Sequence, residues 1–149
     1  MNEQIQIRTM VTEDLEEVTA IEAQVFSVPW TKDGFAAALD MSGANYLVAV
    51  NGKGTIAGYC GYYSCLDEAE VTNVAVVPAY RKQGYATAML QELLRQAKGN
   101  GIKKVFLEVR FSNHGAISLY EKLGFVKLGL RKNFYEKPKE DAILMMLEI

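Results

Sequence analysis

The order of apolar patterns along the chain predicts an α/β (α+β) fold, a mixed sheet with helices packed on its faces. Two periodicities carry that reading. Strand-like runs of alternating or continuous apolar residues interleave with stretches whose apolar residues recur three or four apart. Turn signals separate them, and the resulting order, β-α-α-β-β-β-α-β-α-β-β, belongs to a layered sheet-and-helix unit.

IQIRTM is the first strand, with Ile5 and Ile7 alternating against polar neighbours. Thr12 is the expected N-cap of the first helix, with Glu13 and Asp14 in the first turn, where they suit the helix dipole. Leu15, Val18, Ile21 or Glu22, and Val25 recur at helical spacing, and Pro29 in SVPW ends the run by restricting the residue before it. Thr31 is the expected cap of a shorter helix carrying Phe35, Ala38 and Leu39. NYLVAV, TIAGYCGYYSCL and EVTNVAVV follow as strands, joined by NGKG and LDEAE, both suited to hairpins. Pro78 closes the last of these. After Gly84, the residues Ala86, Met89, Leu90, Leu93, Leu94 and Ala97 mark one face of an amphipathic helix that KGNG terminates. KKVFLEV is a short buried strand, and NHGAISLYEKLGF a helix with Asn113 as cap and Gly124 as stop. VKLGL and AILMMLEI close the chain as strands joined by the polar segment RKNFYEKPKED.

The 149 residues fit one domain, 1–149, with room for a core that needs no disulfide or metal. Half of them are hydrophobic and 23% are charged, the composition of a soluble globular protein. A net charge of −2 argues against a dedicated nucleic-acid binder. Cys60 and Cys65 have no second Cys/His pair to complete a zinc site, so no metal is expected, and both read as buried reduced thiols. MNEQIQIRTM contains neither a basic nor an apolar targeting region, and no apolar run reaches the ~18 residues of a membrane span. A cytoplasmic protein without a membrane partner is the expectation.

RKQGYATAML, residues 81–90, opens a helix with a glycine directly behind positive charge. Glycine is only a moderate cap, but a helix start offers unpaired amides and the dipole end that attracts anions. The stretch is neither a Walker A loop nor a G-x-G-x-x-G fingerprint. Taken alone it reads equally as a tight structural turn or a phosphate cradle.

R-K-Q-G-Y-A matches the [QR]-x-x-G-x-[GA] signature of the Gcn5-related N-acetyltransferases (GNAT), placed as in that family between the fourth strand and the third helix. The chain resembles that family over nearly its whole length. The resemblance implies the GNAT fold, a mostly antiparallel central sheet of about seven strands in which strands 4 and 5 splay apart. It implies acetyl-CoA as cosubstrate, its pyrophosphate held by the amides of Lys82, Gln83, Gly84, Tyr85, Ala86 and Thr87. Its pantetheine arm would lie along Val74, Ala75 and Val76, with the Val76 amide donating to the thioester carbonyl.

LEVRFSNHGAISLYEKLGF is similar to the pattern of the Rim-type subgroup, which acetylates the N-terminal alanine of a small-subunit ribosomal protein. VPW, DEAEVTNVAV and RKNFYEKPKEDAILM are similar to it as well. The resemblance makes Glu108 the base, Tyr120 the acid that protonates the coenzyme sulfur, and Asn113 a pantetheine ligand or a positioner of its helix. Pro29 and Trp30, with Val28, and Tyr135, with Phe134, would flank the acceptor peptide. A ribosomal-protein N-terminus is the implied partner, and nothing in the resemblance gives an oligomeric state.

Each of these residues also has a plain structural role. Alternation sets Val105, Leu107 and Val109 on one strand face and Phe106, Glu108 and Arg110 on the other, where Glu108 could pair with Arg110 or a lysine. Tyr120 shares a helical stripe with Ala116, Ile117 and Leu123, as a core tyrosine would. Trp30 could cap the core, and Tyr135 could be an exposed hairpin aromatic. Their joint occurrence at the family spacing favours the catalytic reading. Glu68 and Glu70 are rival bases acting through water. An α-amine, with a pKa of about 7.7–8.0, is partly neutral near pH 7.4, whereas a lysine near 10.4 is almost wholly protonated. One carboxylate therefore suffices more readily for a protein N-terminus. A broader N-terminal or small-amine acetyltransferase, and a catalytically silent CoA-binding module, remain as alternatives.

Overall fold

A computed structural model describes residues 5–149; the first four residues, part of the opening segment read for targeting signals, lie outside the described residues. The strands are β1 (Gln6–Thr9), β2 (Ala44–Val50), β3 (Ile56–Cys65), β4 (Glu68–Val76), β5 (Lys104–Arg110), β6 (Val126–Glu136) and β7 (Lys139–Glu148). The helices are α1 (Leu15–Val25), α2 (Lys32–Asp40), α3 (Tyr85–Gly99) and α4 (His114–Lys122). Their order is the one the apolar patterns predict. The strands form one seven-stranded sheet in the order β1-β2-β3-β4-β5-β7-β6. Only β4 and β5 run parallel; every other neighbouring pair is antiparallel.

Helices cover both faces. Met89, Leu90, Leu93 and Ala97 of α3 and Ile117 and Tyr120 of α4 pack with Val105, Leu107 and Val109 of β5. Leu15, Val18 and Ile21 of α1 and Phe35 and Ala38 of α2 pack on the opposite face with Tyr46, Val48 and Tyr59. Each large apolar side chain so buried contributes roughly 1.5–3 kcal/mol relative to leaving it in water.

Several local expectations are corrected. Thr12 does not cap α1: it opens a 3-10 turn, and the Asp14 carboxylate accepts the Val11 N–H at 2.8 Å while pairing with Arg8 at 2.8 and 2.9 Å. The carboxylate wins because it satisfies a backbone donor and a cation together. Thr31 and Asn113 do cap their helices, accepting from Gly34 N–H at 3.1 Å and Ala116 N–H at 3.2 Å. Tyr85, not Ala86, begins the buried face of α3. Cys60 is buried, but Cys65 is exposed at the end of β3. RKNFYE is strand rather than connector: β6 runs to Glu136 and turns at Lys137 and Pro138. It is an edge strand, where charged side chains sit in solvent at little cost.

Two irregularities shape the centre of the sheet. β4 and β5 pair only at Glu68–Lys104, Ala69–Val105 and Glu70–Phe106, so beyond those pairs the two strands part. Just there the register of β4 against β3 passes from Val71–Tyr62 to Asn73–Gly61, leaving Thr72 as an extra, bulged residue. Regular alternation would keep Val71, Asn73 and Ala75 on one face. With the bulge, Val71 belongs to the α3/α4 core and Ala75 to the α1/α2 core, and Asn73 bonds to α1.

Candidate active site

The parted strands open two cavities, of about 650 and 480 Å³. Val25, Phe26, Val74, Asn113 and Tyr120 line both, so the two meet at the splay.

The smaller cavity is walled by Val74, Ala75 and Val76 of β4 and by Lys82, Gly84, Tyr85, Ala86 and Thr87. The chain reverses here with Lys82 at φ 62° and Gly84 at φ 88°, and a Cβ on Gly84 would meet nothing within 4 Å. The left-handed backbone, with open space beside it, is why glycine stands at the start of α3. The first intrahelical bond runs from Ala88 N–H to Gly84 O at 3.0 Å, and a helix's first-turn amides have no intrahelical acceptor. An open, cationic helix start continuous with a strand edge that β5 leaves unpaired fits a long anionic group such as acetyl-CoA. Gln83 stands apart: its side chain donates to Ala79 O at 3.4 Å, and it lines neither cavity.

The larger cavity holds Glu108 and, on α4, Tyr120. Glu108 Oε2 is buried and accepts no hydrogen bond; Arg131 Nε stands 3.2 Å away, an ion pair without hydrogen-bond geometry. Burial pushes the Glu108 carboxyl above its usual range, the Arg131 cation pulls it back, and the Glu70 charge adds to the rise. Arg110, the partner the strand pattern suggested, binds Glu140 and the Lys137 and Pro138 carbonyls instead. Glu68 and Glu70 are exposed and line neither cavity. Burial also raises the Tyr120 hydroxyl, helped by the neighbouring Cys60 and Tyr135, so it keeps its proton at neutral pH. Asn113 caps α4 and lines both cavities.

The rim comes from two loops. Val28 and Trp30 follow α1, and Phe134, Tyr135 and Pro138 belong to the β6–β7 hairpin. Trp30 packs on Phe35 with ring centroids 5.1 Å apart, so it anchors in the core while facing the cavity. Tyr135 lies under the Arg110 guanidinium, 4.2 Å from ring centroid to Cζ. The loops touch, since Ser27 Oγ donates to Lys137 O. Pro29 is exposed and lines neither cavity.

Glu22 and Asn73 also line this cavity, and sequence reasoning missed both. A charge on the apolar stripe of α1, where Ile21 and Glu22 compete, was the available signal. Asn73 gave none, because its place depends on the bulge. Among the described residues, no three His, Cys, Asp or Glu side chains gather to hold a metal, and no helix is long and apolar enough to cross a membrane.

The acetyltransferase (GNAT) family model matches residues 15–125, and the chain belongs to that family. An Escherichia coli K12 relative, [ribosomal protein bS18]-alanine N-acetyltransferase, is 37% identical over 145 residues, 96% of this chain and 97% of the relative. A protein of the same name from Haemophilus ducreyi is also 37% identical over 145 residues, 95% of this chain and 98% of its own length. The crystal structure of the ribosomal-protein-S18-alanine N-acetyltransferase from Escherichia coli superposes with a TM-score of 0.90 at 34% identity, covering 98% of this chain and 94% of that one. The Arabidopsis thaliana NAA60 structure with acetyl-CoA shares the fold, with a TM-score of 0.89 at 21% identity, covering 98% of this chain and 99% of that one.

Proposed function

We propose that this chain transfers the acetyl group of acetyl-CoA to the N-terminal α-amino group of the alanine that opens ribosomal protein bS18, by direct attack in a ternary complex. One observation carries the reading: Glu108, whose Oε2 is buried and has no donor, opens on the same cavity as Tyr120, which also borders the cavity at the start of α3. Residues 1–149 act as one catalytic domain, and its place is the cytoplasm, where a ribosomal substrate is met.

When bound, acetyl-CoA supplies an electrophilic thioester. Backbone amides of Lys82, Gly84, Ala86 and Thr87 would hold its pyrophosphate, and the edge of Val74–Val76 that β5 leaves free would run along the pantetheine arm. The Val76 N–H is the oxyanion donor. Glu108, its affinity for protons raised by burial, takes a proton from the incoming ammonium. Tyr120 keeps its hydroxyl proton available for the leaving sulfur. Trp30 and Tyr135 close the rim over the peptide and exclude water.

The test is mass spectrometry after incubation with acetyl-CoA and peptides beginning Ala, Ser, Met or Gly, each carrying an internal lysine. Acetylation of the Ala terminus with the lysine untouched is expected. Transfer to several termini would make it a broad N-terminal enzyme, and bound coenzyme without transfer would leave a small-amine enzyme or a silent module. Glu108→Gln should lower turnover about 10²–10⁴-fold at neutral pH while acetyl-CoA still binds; unchanged turnover would move the base elsewhere.

A further inference from the structure

Asn73 and Glu22 form a unit that the catalytic scheme leaves unused. Glu22 is only 3% exposed, yet its carboxylate lies between three elements. Oε1 accepts from Tyr59 O–H at 2.7 Å and from Asn73 Nδ2 at 3.3 Å, and Oε2 accepts from Trp30 N–H at 3.0 Å. All three groups around this carboxylate donate to it, and an oxygen that already takes the Tyr59 O–H offers Asn73 a lone pair rather than a hydrogen. The NH2 end of the Asn73 amide must therefore face Glu22, which turns its carbonyl oxygen away from α1. That oxygen is buried and has no donor, although Asn73, 5% exposed, lines the larger cavity.

A buried carbonyl left without a donor is costly, so one kept at a cavity wall points to a ligand N–H. Glu108 Oε2 is the other donorless buried oxygen among the residues lining this cavity. The bulge at Thr72 puts Asn73 on the α1/α2 side of the sheet, and strand alternation puts Glu108 on that side too, opposite Val105, Leu107 and Val109. The ammonium that gives one proton to Glu108 becomes a neutral amine with two N–H bonds, one lost as the amide forms and one kept, and both need acceptors while the amine is held beside Val74–Val76. We propose that the Asn73 carbonyl oxygen accepts one of those N–H groups from the acceptor's N-terminal amine, and that Glu22 is a positioning residue that fixes the Asn73 amide. This rests on the proposed N-terminal acetyl transfer.

The two roles separate in steady-state kinetics with an Ala-initiated peptide. Asn73→Ala should raise the peptide KM or lower kcat/KM about tenfold, with the KM for acetyl-CoA unchanged. Glu22→Gln should reproduce that loss, because a Gln no longer dictates which end of Asn73 faces it, while the pH limb set by Glu108 stays in place. Thermal midpoints with and without acetyl-CoA show whether each variant is folded and loaded, and Asn73→Thr, closer in volume, carries the same test if the Ala variant is unstable. Wild-type peptide kinetics in a folded Asn73 variant would overturn the inference and leave the proposed function intact. Loss in Asn73→Ala without loss in Glu22→Gln would overturn the positioning role alone. Absence of transfer from wild type to any peptide would overturn both readings.

Discussion

Glu108 shows how a single side chain is tuned by its surroundings. Its carboxyl is raised by burial and by Glu70 and restrained by Arg131, whose side chain is 56% exposed. Removing the cation leaves only influences that favour the protonated acid. Arg131→Gln should therefore raise the Glu108 pKa further, moving the acidic limb of the kcat/KM profile to higher pH; a limb that stays put would show that Arg131 is screened out by solvent. Glu108 itself was legible in the sequence through its family spacing. Its partner was not, because Arg110 follows it on the same strand face yet is drawn away by Glu140 and two hairpin carbonyls. Only the register of β6 brings Arg131 to Glu108.

Elements meet at two joints whose chemistry can be tested. Arg8 of β1 and Asp14 before α1 form a two-pronged ion pair, and the Arg8 hydrogen bond is the main cause of the lowered Asp14 pKa. A carboxyl lowered on folding contributes stability above its unfolded pKa, about 3.9, and loses it as pH falls through the lower folded value. Asp14→Asn should cost about 1–2 kcal/mol at pH 7, allowing for the partly exposed Arg8, with the difference from wild type vanishing in acid. Denaturant melts at the two pH values check this. At the second joint the Tyr46 ring lies on Gly61, where a Cβ would collide with it, and Tyr46 shares a 2.7 Å hydrogen bond with the bulged Thr72. Gly61→Ala should cost about 1–3 kcal/mol through overpacking and disturb the bulge, so peptide turnover should fall along with the thermal midpoint.

At the scale of the whole molecule, coenzyme binding couples to stability. Acetyl-CoA at a hundred times its Kd should add about 2.7 kcal/mol to unfolding, read as a rise in thermal midpoint. Gly84→Val puts a β-branched residue at φ 88°, where left-handed backbone is strained, and fills the open side of the cradle. That variant should lose most of the coenzyme-dependent rise. The order of elements, the helix-opening loop and the cavity positions of Glu108, Asn113 and Tyr120 were all readable from the chain. Periodicity, capping residues and a fixed spacing are local properties, so the sequence by itself determined them. The side on which Asn73 emerges and the clasp of Glu22 on three elements were decided only in the tertiary structure. Each depends on how residues far apart in sequence register against one another, and a one-residue bulge at Thr72 reverses which face the next side chains occupy.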